Sequence, residues 1–371
     1  MIRLSKSVVG DAEIKAVGEI LRRGFLGMGT EVKAFEDDLR AYFGGDVGVT
    51  CVNTGTAALQ LAIQALGLTR GDEVLVPTIT YVASYQAIAA TGARPVSCDV
   101  SPETGLIDLE DARLRLTSRT KAIMPVHFAS EMGDLDGLYD FARRNELRVV
   151  EDAAHAFGCT YQGRKVGSFG DVVCFSFDGI KNITAGEGGA IVTRDAQVHS
   201  FVQDARLLGV EKDSEKRYNR ERSWEFDVKS QGWRYHMSEI MAAIGRTQLS
   251  RFENEFKPKR QAIAKSYRSL LATVEGIRLF ETAGDEIVPH ILPIRVLNGK
   301  RDAVRDSLIK EDIQAGIHYK PNHLLTFFGD GSPRLPKAEQ LYEELLSLPL
   351  HPDMHEHDDV GRIVSVIEKS L

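Results

Sequence analysis

The sequence predicts an α/β protein with a mostly parallel β-sheet that carries helices on both faces. Between about residues 50 and 200, short apolar runs alternate with amphipathic stretches, a pattern typical of repeated strand–helix–strand units. The chain has 371 residues, 43% hydrophobic and 27% charged, which is enough for a large core and a second domain. We therefore predict a large α/β domain over residues 1–250 and a smaller C-terminal α+β domain over residues 251–371.

Six apolar runs are the predicted strands of the large sheet. They lie at residues 73–77, 94–98, 122–126, 148–151, 172–177 and 190–193. Between several of them are stretches with helical periodicity, such as residues 57–66 and 135–146. Ligands of such sheets bind beyond the carboxyl ends of the strands. The residues that follow these runs are therefore the candidates for a functional site.

The remaining chain carries weaker signals. Residues 211–229 are rich in charge and show little apolar periodicity, so we expect an exposed loop, with a lid over the site as the alternative. A helix is predicted from about Ser238 through Arg251 and beyond. In the C-terminal third, residues 287–296 and 316–319 are strand candidates that alternate with helices.

Composition limits the partners and the compartment. The formal net charge of −7 argues against a dedicated nucleic-acid binder and offers nothing to an anionic membrane. No apolar stretch approaches the ~20 residues that span a bilayer, and residues 1–6 lack the apolar core of a signal peptide. The four cysteines show no C-x-x-C spacing and are expected to be reduced: Cys51, Cys98, Cys159 and Cys174. We expect a cytoplasmic protein.

Lys181 and Asp152 are the most informative pair in the chain. Lys181 lies in a Gly-rich turn after the run 172–177, and Asp152 directly follows the run 148–151. A lysine and a carboxylate at the ends of neighbouring strands suit pyridoxal phosphate (PLP): the lysine would form a Schiff base, and the aspartate would pair with the pyridinium nitrogen. A solvated lysine and a structural salt bridge are the alternatives. His155 would hydrogen-bond the phenolic oxygen of the ring or, alternatively, cap a helix.

Three further positions would face the same site. Residues 51–59 end a short strand and open a helix, where Gly55 and Thr56 would receive a phosphate; a simple capped helix start is the alternative. Tyr81 follows a strand and would stack on a flat heteroaromatic ring or merely pack. His127 also ends a strand and is a further candidate.

Other sites lack support in the sequence. Residues 351–357 contain three histidines, but a proline interrupts them and no helical periodicity fixes their spacing. We expect them to be solvated and predict no metal site. No G-x-G-x-x-G follows a strand, and neither G-x-x-x-x-G-K-[ST] nor G-x-S-x-G occurs, so dinucleotide, P-loop and serine-hydrolase functions lose their main support.

Taken together and in order, these segments resemble the DegT/DnrJ/EryC1/StrS family of PLP-dependent sugar aminotransferases. The similar motifs span nearly the whole chain, at residues 29–36, 53–59, 80–83, 151–155, 176–181, 186–189, 237–243 and 318–323. The resemblance implies the aspartate-aminotransferase fold (PLP-dependent fold type I) and a homodimer with shared active sites. It also implies conversion of a nucleotide-linked ketosugar to an aminosugar, with L-glutamate as donor and ping-pong kinetics through pyridoxamine phosphate.

The resemblance assigns a role to individual residues of these motifs. Lys181 would be the Schiff-base lysine, Asp152 the partner of the pyridine nitrogen, and His155 the contact of the ring hydroxyl. Tyr81 would stack on the ring. The phosphate would be bound by Gly55, Thr56, Ala57 and Ser176, and the sugar or its nucleotide would lie near His318, Tyr319 and His323.

The chain departs from the family pattern at two places. Arg234 stands where the family usually has the asparagine that reaches the cofactor phosphate of the partner subunit, and His236 stands where the family has an arginine. Because an arginine also clamps phosphate, we predict Arg234 as a phosphate ligand, with a nucleotide diphosphate contact as the alternative. The family's tyrosine and glycine after His127 are replaced by residues 128–131, so no role is carried over for that loop.

Two other functions remain open at this point. One is a PLP-dependent sugar dehydratase on the same scaffold, although such members typically carry histidine at the position of Lys181. The other is a PLP-binding regulator without turnover, against which the intact pair of Lys181 and Asp152 counts.

Overall fold

The computed structural model describes residues 1–219, 221, 224–329, 331 and 333–371. Its strands are β1 (Gly48–Val52), β2 (Glu73–Pro77), β3 (Arg94–Cys98), β4 (Thr120–Ile123), β5 (Arg148–Asp152), β6 (Thr160–Tyr161), β7 (Arg164–Lys165), β8 (Val172–Ser176), β9 (Gly189–Thr193), β10 (Ile277–Leu279), β11 (Leu292–Val296) and β12 (Leu345–Leu348). Its α-helices are α1 (Asp11–Arg23), α2 (Thr30–Tyr42), α3 (Gly55–Ala65), α4 (Val82–Ala89), α5 (Leu109–Leu114), α6 (Leu135–Arg144), α7 (Ala196–Ala205), α8 (Asp213–Tyr218), α9 (Glu239–Arg251), α10 (Lys257–Leu271), α11 (Arg301–Lys310), α12 (Thr326–Gly329), α13 (Pro336–Glu344) and α14 (Asp358–Ser370).

A sheet of seven strands, in the order β1-β9-β8-β5-β4-β2-β3, forms the centre of the molecule. The five strands from β8 to β3 run parallel to one another, whereas β9 is antiparallel to both of its neighbours. Strand β8 is buried at all five positions, as is usual for a strand covered on both faces. The predicted α/β fold with a mostly parallel sheet is confirmed.

Helices cover both faces of this sheet. On one face, Phe35 of α2 packs in a core cluster with Phe175 of β8. On the other face, Leu61 of α3 packs in a second cluster with Cys174, the strand neighbour of Phe175. Successive side chains of a strand point to opposite faces, so β8 contributes to both cores and is fixed firmly in the sheet.

The parallel strands bring their carboxyl ends to one edge of the sheet. In the register of β5 and β8, Asp152 lies opposite Cys174, so the loop after β8 begins beside Asp152. Helix α3 begins at the same edge of the sheet, after β1, because β1 and β8 are both antiparallel to β9. The side chain of Thr54 caps this helix by accepting a hydrogen bond from the N–H of Ala57. Charged and polar residues that follow these strands therefore converge there.

The C-terminal part contains the antiparallel sheet β10-β11-β12. A core cluster joins this sheet to α10, α11 and α14, with Ile294, Leu308 and Ile367 among its members. Ile2, from the other end of the chain, packs in the same cluster. The division into two domains at residue 250 stays a prediction.

Several predicted elements differ in extent from the observed ones. The strand expected at 287–296 begins only at Leu292, because the backbone carbonyl of Val288 accepts from the side chain of Asn182 in a loop rather than from a neighbouring strand. The stretch 316–319 was predicted as a strand, and this is wrong: it pairs at one position, Gly316 with Ser347. The run 122–126 ends its strand at Ile123.

The charge-rich stretch 211–229 is more ordered than expected. It contains the short helix α8, and the Tyr218 hydroxyl at the end of this helix contacts the buried carboxylate of Glu36 and the guanidinium of Arg206. Residues 220, 222 and 223, which belong to the proposed lid, lie outside the described residues. In the described part of the chain, no helix combines the length and the apolar character needed to cross a bilayer.

Candidate active site

Lys181 lies in the loop after β8, with its amine 3.3 Å from Nε2 of His290. The next residue, Asn182, is buried, and its side-chain amide donates to two backbone carbonyls at 2.9 and 3.0 Å, which fixes the loop. Burial lowers the pKa of Lys181 to about 8, although the negative charges of Asp152 and Asp178 oppose the shift. A lysine of this kind is neutral in a substantial fraction of molecules near neutral pH.

Asp152 ends β5 and is 5% exposed. Its Oδ2 accepts from the hydroxyl of Ser84 at 2.6 Å, and its Oδ1 accepts from the N–H of Ala154 at 3.2 Å. Burial raises the pKa of Asp152, and these two hydrogen bonds and the nearby Lys181 oppose that rise. A buried carboxylate of this kind is stabilised by a cationic partner.

His155 and the segment of Tyr319 line the same cleft. His155 Nε2 is 3.1 Å from the Tyr319 hydroxyl, whereas its Nδ1 is buried and has no hydrogen-bond partner among the residues described. Burial holds the pKa of His155 well below its ordinary value, and the charge of Lys181 adds to this effect. Burial likewise lowers the pKa of His318 to about 4. Both histidines are therefore neutral near pH 7, and the bare Nδ1 is a contact point for a polar atom of a ligand.

Gly55 and Ser176 form a cradle at the start of α3. A Cβ atom on Gly55 would lie 2.8 Å from Cβ of Ser176, so only glycine fits against this serine. The N–H of Ala57 donates to Thr54 Oγ1 at 3.0 Å, and the assignment of Ala57 to the phosphate stays a prediction. Because the first N–H groups of a helix have no intrahelical partner, the helix start still presents those of Gly55 and Thr56 to an anion.

Tyr81 stands at the entrance of the cleft. Its side chain is 60% exposed, although it precedes helix α4 at the end of a buried strand segment. The ring centroid lies 5.8 Å from that of Tyr319, at an interplanar angle of 45°. An open aromatic face beside the lysine and the carboxylate suits stacking on a planar ring.

Two of the predicted histidines are engaged in structural contacts. His323 is 6% exposed; its Nδ1 lies 2.8 Å from Thr78 Oγ1 and its Nε2 lies 3.4 Å from a Glu339 oxygen. His127 is 1% exposed, and its Nε2 lies 2.8 Å from Glu151 Oε2. Glu151 precedes Asp152 in β5 and points to the other face of the sheet, so the ring of His127 lies behind the cleft.

Arg234 is exposed, although its neighbours Trp233 and Tyr235 are half-buried. It lines a hollow of about 270 Å³ together with Arg217, Trp224 and His236. The adjacent Tyr235 carbonyl accepts from the N–H of Asn53 at 2.7 Å, so this segment runs beside the start of the phosphate cradle. Its assignment to a phosphate stays a prediction.

The histidine-rich tail differs in part from expectation. His351 is 6% exposed rather than solvated, whereas His355 and His357 are exposed. Within the described ranges, no group of three or more histidine, cysteine or acidic side chains is placed to hold a metal ion. All four cysteines are buried free thiols.

Sequence reasoning missed His290 and Ser84. His290 lies within the stretch 287–296 that was predicted as a strand, and no local pattern distinguishes it from a core histidine. Ser84 follows Tyr81 by three residues and so lies near it at the start of α4, a spacing that would have marked it as a neighbour of the site. Each reaches its partner only through the tertiary fold.

The arrangement fits PLP. It offers a lysine with a lowered pKa, a buried carboxylate, an unpartnered nitrogen of His155 and a tight glycine–serine cradle. These are the features that bind and tune this cofactor, and they converge at the carboxyl edge of a mostly parallel sheet. The fold and the site together define the class of PLP-dependent enzymes with the aspartate-aminotransferase fold.

The chain belongs to the DegT/DnrJ/EryC1/StrS aminotransferase family, whose profile matches residues 8–368. It is 34% identical over 382 residues to UDP-4-amino-4-deoxy-L-arabinose–oxoglutarate aminotransferase of Shewanella sediminis, an alignment that covers 99% of this chain and 97% of that protein. The aminotransferase TlmJ from Streptoalloteichus hindustanus superposes with a TM-score of 0.92 at 33% identity, covering 100% of this chain and 98% of the other. The PLP-form of the putative sugar aminotransferase Spr1654 from Streptococcus pneumoniae superposes with a TM-score of 0.90 at 30% identity, covering 99% of each chain.

These relatives confirm four of the predictions. The family is the one that the motifs indicated, and the fold is that of the sugar aminotransferases. The enzyme class is PLP-dependent sugar aminotransferase, and the cofactor is PLP.

Proposed function

We propose that this enzyme transfers an amino group from L-glutamate to a nucleotide-linked ketosugar and uses Lys181 as its cofactor lysine. The observation that carries the proposal is the pairing of Lys181 with Asp152 beyond adjacent parallel strands, β8 and β5. A relative named for a UDP-linked aminosugar and oxoglutarate, the keto acid of glutamate, supports both substrates. When bound, PLP supplies an electron sink that stabilises negative charge at the carbon that loses a proton.

Lys181 is the proton carrier in this proposal. Its pKa of about 8 lets the free amine act as a base near neutral pH. It would take a proton from the α-carbon of the donor and deliver it to the carbon on the other side of the transferred nitrogen. An amine with an ordinary lysine pKa would be protonated almost completely near neutral pH and could not act as a base. The burial that lowers its pKa is therefore part of the chemistry.

Asp152 keeps the cofactor ring protonated in this proposal. The bonds from Ser84 and from the backbone of Ala154 hold its carboxylate in one orientation. In a buried site, a carboxylate beside a ring nitrogen favours the cationic form of that nitrogen. His155 would contact the hydroxyl of the cofactor ring through its Nδ1, which has no hydrogen-bond partner among the described residues. This contact would fix the orientation of the cofactor ring.

The phosphate and the sugar would occupy opposite sides of this core. Gly55, Thr56 and Ser176 would bind the phosphate at the start of α3, where the helix dipole favours an anion. His318 and Tyr319 would lie against the sugar. His323 would act indirectly, because its Nδ1 contacts Thr78, which follows β2, and its Nε2 contacts Glu339 of α13.

One cleft would serve both half-reactions. The lysine, the carboxylate and the phosphate cradle are needed in each direction, so the keto acid must leave before the ketosugar enters. Kinetics of the ping-pong type follow from this sharing. Product analysis with a ketosugar distinguishes this reaction from dehydration, in which the sugar would lose an oxygen and gain no nitrogen.

A homodimer would complete the site. Arg234 is exposed on its own protomer, and near it Trp224 and Phe226 are 83% and 61% exposed. Large exposed aromatic side chains are typical of surfaces that a partner covers. We propose that Arg234 reaches the phosphate of the partner's cofactor, and that the enzyme works in the cytoplasm.

The first test is the visible spectrum of the purified protein with PLP, before and after addition of L-glutamate. The proposal predicts an absorbance band from the covalent adduct with Lys181, which is replaced by the spectrum of the pyridoxamine form when glutamate is added. A band that glutamate does not change would refute the donor and favour a regulator. A protein that forms no adduct at all would refute the role of Lys181.

A further inference from the structure

His290 is the side chain that contacts the amine of Lys181, and none of the roles above uses it. Its Nε2 lies 3.3 Å from the lysine Nζ, and the residue is 4% exposed. The ring also packs against that of His155, with centroids 4.5 Å apart. A histidine buried at this distance from the reacting amine can hold that amine through its Nε2.

The backbone around His290 is held on both sides. Its N–H donates to Ser130 Oγ at 3.0 Å, and Ser130 Oγ donates in turn to the carbonyl of His155 at 2.5 Å. On the other side, the buried guanidinium of Arg260 donates to the carbonyls of Pro289 and His290 at 3.3 and 3.4 Å. The backbone that carries the ring is therefore fixed by two anchors that do not involve the lysine.

The His290 ring is neutral. Burial holds its pKa well below the ordinary value, and the charges of Lys181 and Arg260 add to this effect. A neutral imidazole bears one nitrogen that accepts a hydrogen bond. The titratable groups that act electrostatically on Lys181, His155 or His290 are Lys181, Asp152, Asp178, Arg260, His127, His155 and His318.

We propose that His290 is a positioning residue for the reaction: its Nε2 accepts a hydrogen bond from the Lys181 amine whenever that amine is not bonded to the cofactor. The contact keeps the free amine in one place between the two proton transfers that it performs. The lysine has four rotatable carbon–carbon bonds in its side chain, so a free amine without an acceptor would sample other positions. This inference rests on the proposed role of Lys181.

Two substitutions of His290 separate an acceptor role from a packing role. The side-chain amide of glutamine extends to the place of Nε2, whereas that of asparagine is one carbon shorter and extends only to the place of Nδ1. Both are uncharged, and both keep a polar amide in the cavity. The proposal therefore expects His290→Gln to behave like the wild type and His290→Asn to lose the contact.

The measurement is the pKa of Lys181 in the full-length protein freed of cofactor. It is obtained by competitive acetylation with acetic anhydride between pH 6 and 11 and by quantifying the labelled peptide. A hydrogen bond from an ammonium group is stronger than one from a neutral amine, so its loss favours the neutral form. We expect a value of about 8 in the wild type, a value lower by about one in His290→Asn, and recovery in His290→Gln.

A holoenzyme assay of the glutamate half-reaction gives the second readout. We expect kcat of His290→Asn to fall roughly tenfold with little change in KM, and most of it to return in His290→Gln. Equal pKa values in all three proteins, or equal losses in both variants, would overturn the proposal. If the asparagine variant does not fold, His290→Leu replaces it, with the same expected values. Because the acetylation needs no cofactor, its result is independent of the proposed sugar and donor.

Discussion

The rate at which this enzyme captures PLP should reveal the lowered pKa of Lys181 directly. Only the neutral amine attacks the aldehyde. At pH 7 an amine with the ordinary lysine pKa of 10.5 is neutral in roughly 3 of 10,000 molecules, whereas one with a pKa of about 8 is neutral in roughly one in ten. At pH 7 the structure therefore predicts that Lys181 captures PLP about 300-fold faster than a lysine with the ordinary pKa would.

Removing the charge of Asp152 should shift the pKa of Lys181 in a direction that the structure predicts. Burial is the largest cause of the lowered pKa of Lys181, and the negative charge of Asp152 is the first of the effects that oppose it. Asp152→Asn removes that charge, so the pKa of Lys181 should fall further below 8. Asp46→Asn is the matched control, because the Asp46 side chain is 92% exposed and should leave the lysine unchanged.

The assay is stopped-flow absorbance of full-length, cofactor-free protein mixed with PLP between pH 6 and 10.5. Dividing each rate by the rate per neutral amine of a free lysine derivative at the same pH removes the ionisation of PLP itself and leaves the titration of Lys181. The corrected neutral fraction of Lys181 should rise tenfold per pH unit at low pH and level off above about 8. In Asp152→Asn the same curve should level off at lower pH.

Two results would refute this reasoning. If the neutral fraction continues to climb tenfold per unit through pH 9.5, Lys181 is an ordinary solvated lysine and the burial argument is wrong. If Asp152→Asn moves the midpoint to higher pH, the carboxylate does not act on the lysine through its charge. A change of equal size in Asp46→Asn would point to a general effect of net charge instead.

Three further predictions follow from the same site. Lys181→Ala should abolish multiple turnover with glutamate while PLP still binds without a covalent bond, as judged by activity and equilibrium dialysis. Gly55→Ala should weaken PLP affinity at least roughly tenfold and destabilise the protein by about 1–3 kcal/mol, because the new Cβ lies 2.8 Å from the serine that ends β8. The control Gly361→Ala, which meets nothing within 4 Å inside α14, should stabilise by about 0.5–1 kcal/mol; urea unfolding measures both. Ser84→Ala removes the hydrogen bond to Asp152, so it should raise the pKa of that carboxyl further, cost about 1–3 kcal/mol in urea unfolding and weaken PLP binding. An unchanged PLP affinity in Gly55→Ala or Ser84→Ala would contradict its part in the site.

Much of the fold followed from local patterns. The six predicted runs are all strands of the seven-stranded sheet, because a strand buried on both faces must be a short apolar run. Strands β6, β7, β10 and β12 were not predicted. Strand β12 has the sequence Leu-Leu-Ser-Leu and directly follows helix α13, so its apolar run is indistinguishable from the end of a helix. The stretch 316–319 was wrongly predicted as a strand. It pairs with another segment only at Gly316, and a sequence does not show whether a segment has pairing partners.

The sequence by itself determined the chemistry of this protein, and the tertiary structure decided how that chemistry is tuned. Lys181 and Asp152 could be found because each follows a predicted strand, and parallel strands bring their carboxyl ends to one edge. The contacts of Ser84, His290 and Arg260 join segments that lie far apart in the chain, and no local pattern encodes such distances. The pKa of Lys181 depends on burial by the whole fold, and burial is a property of packed chains rather than of neighbouring residues.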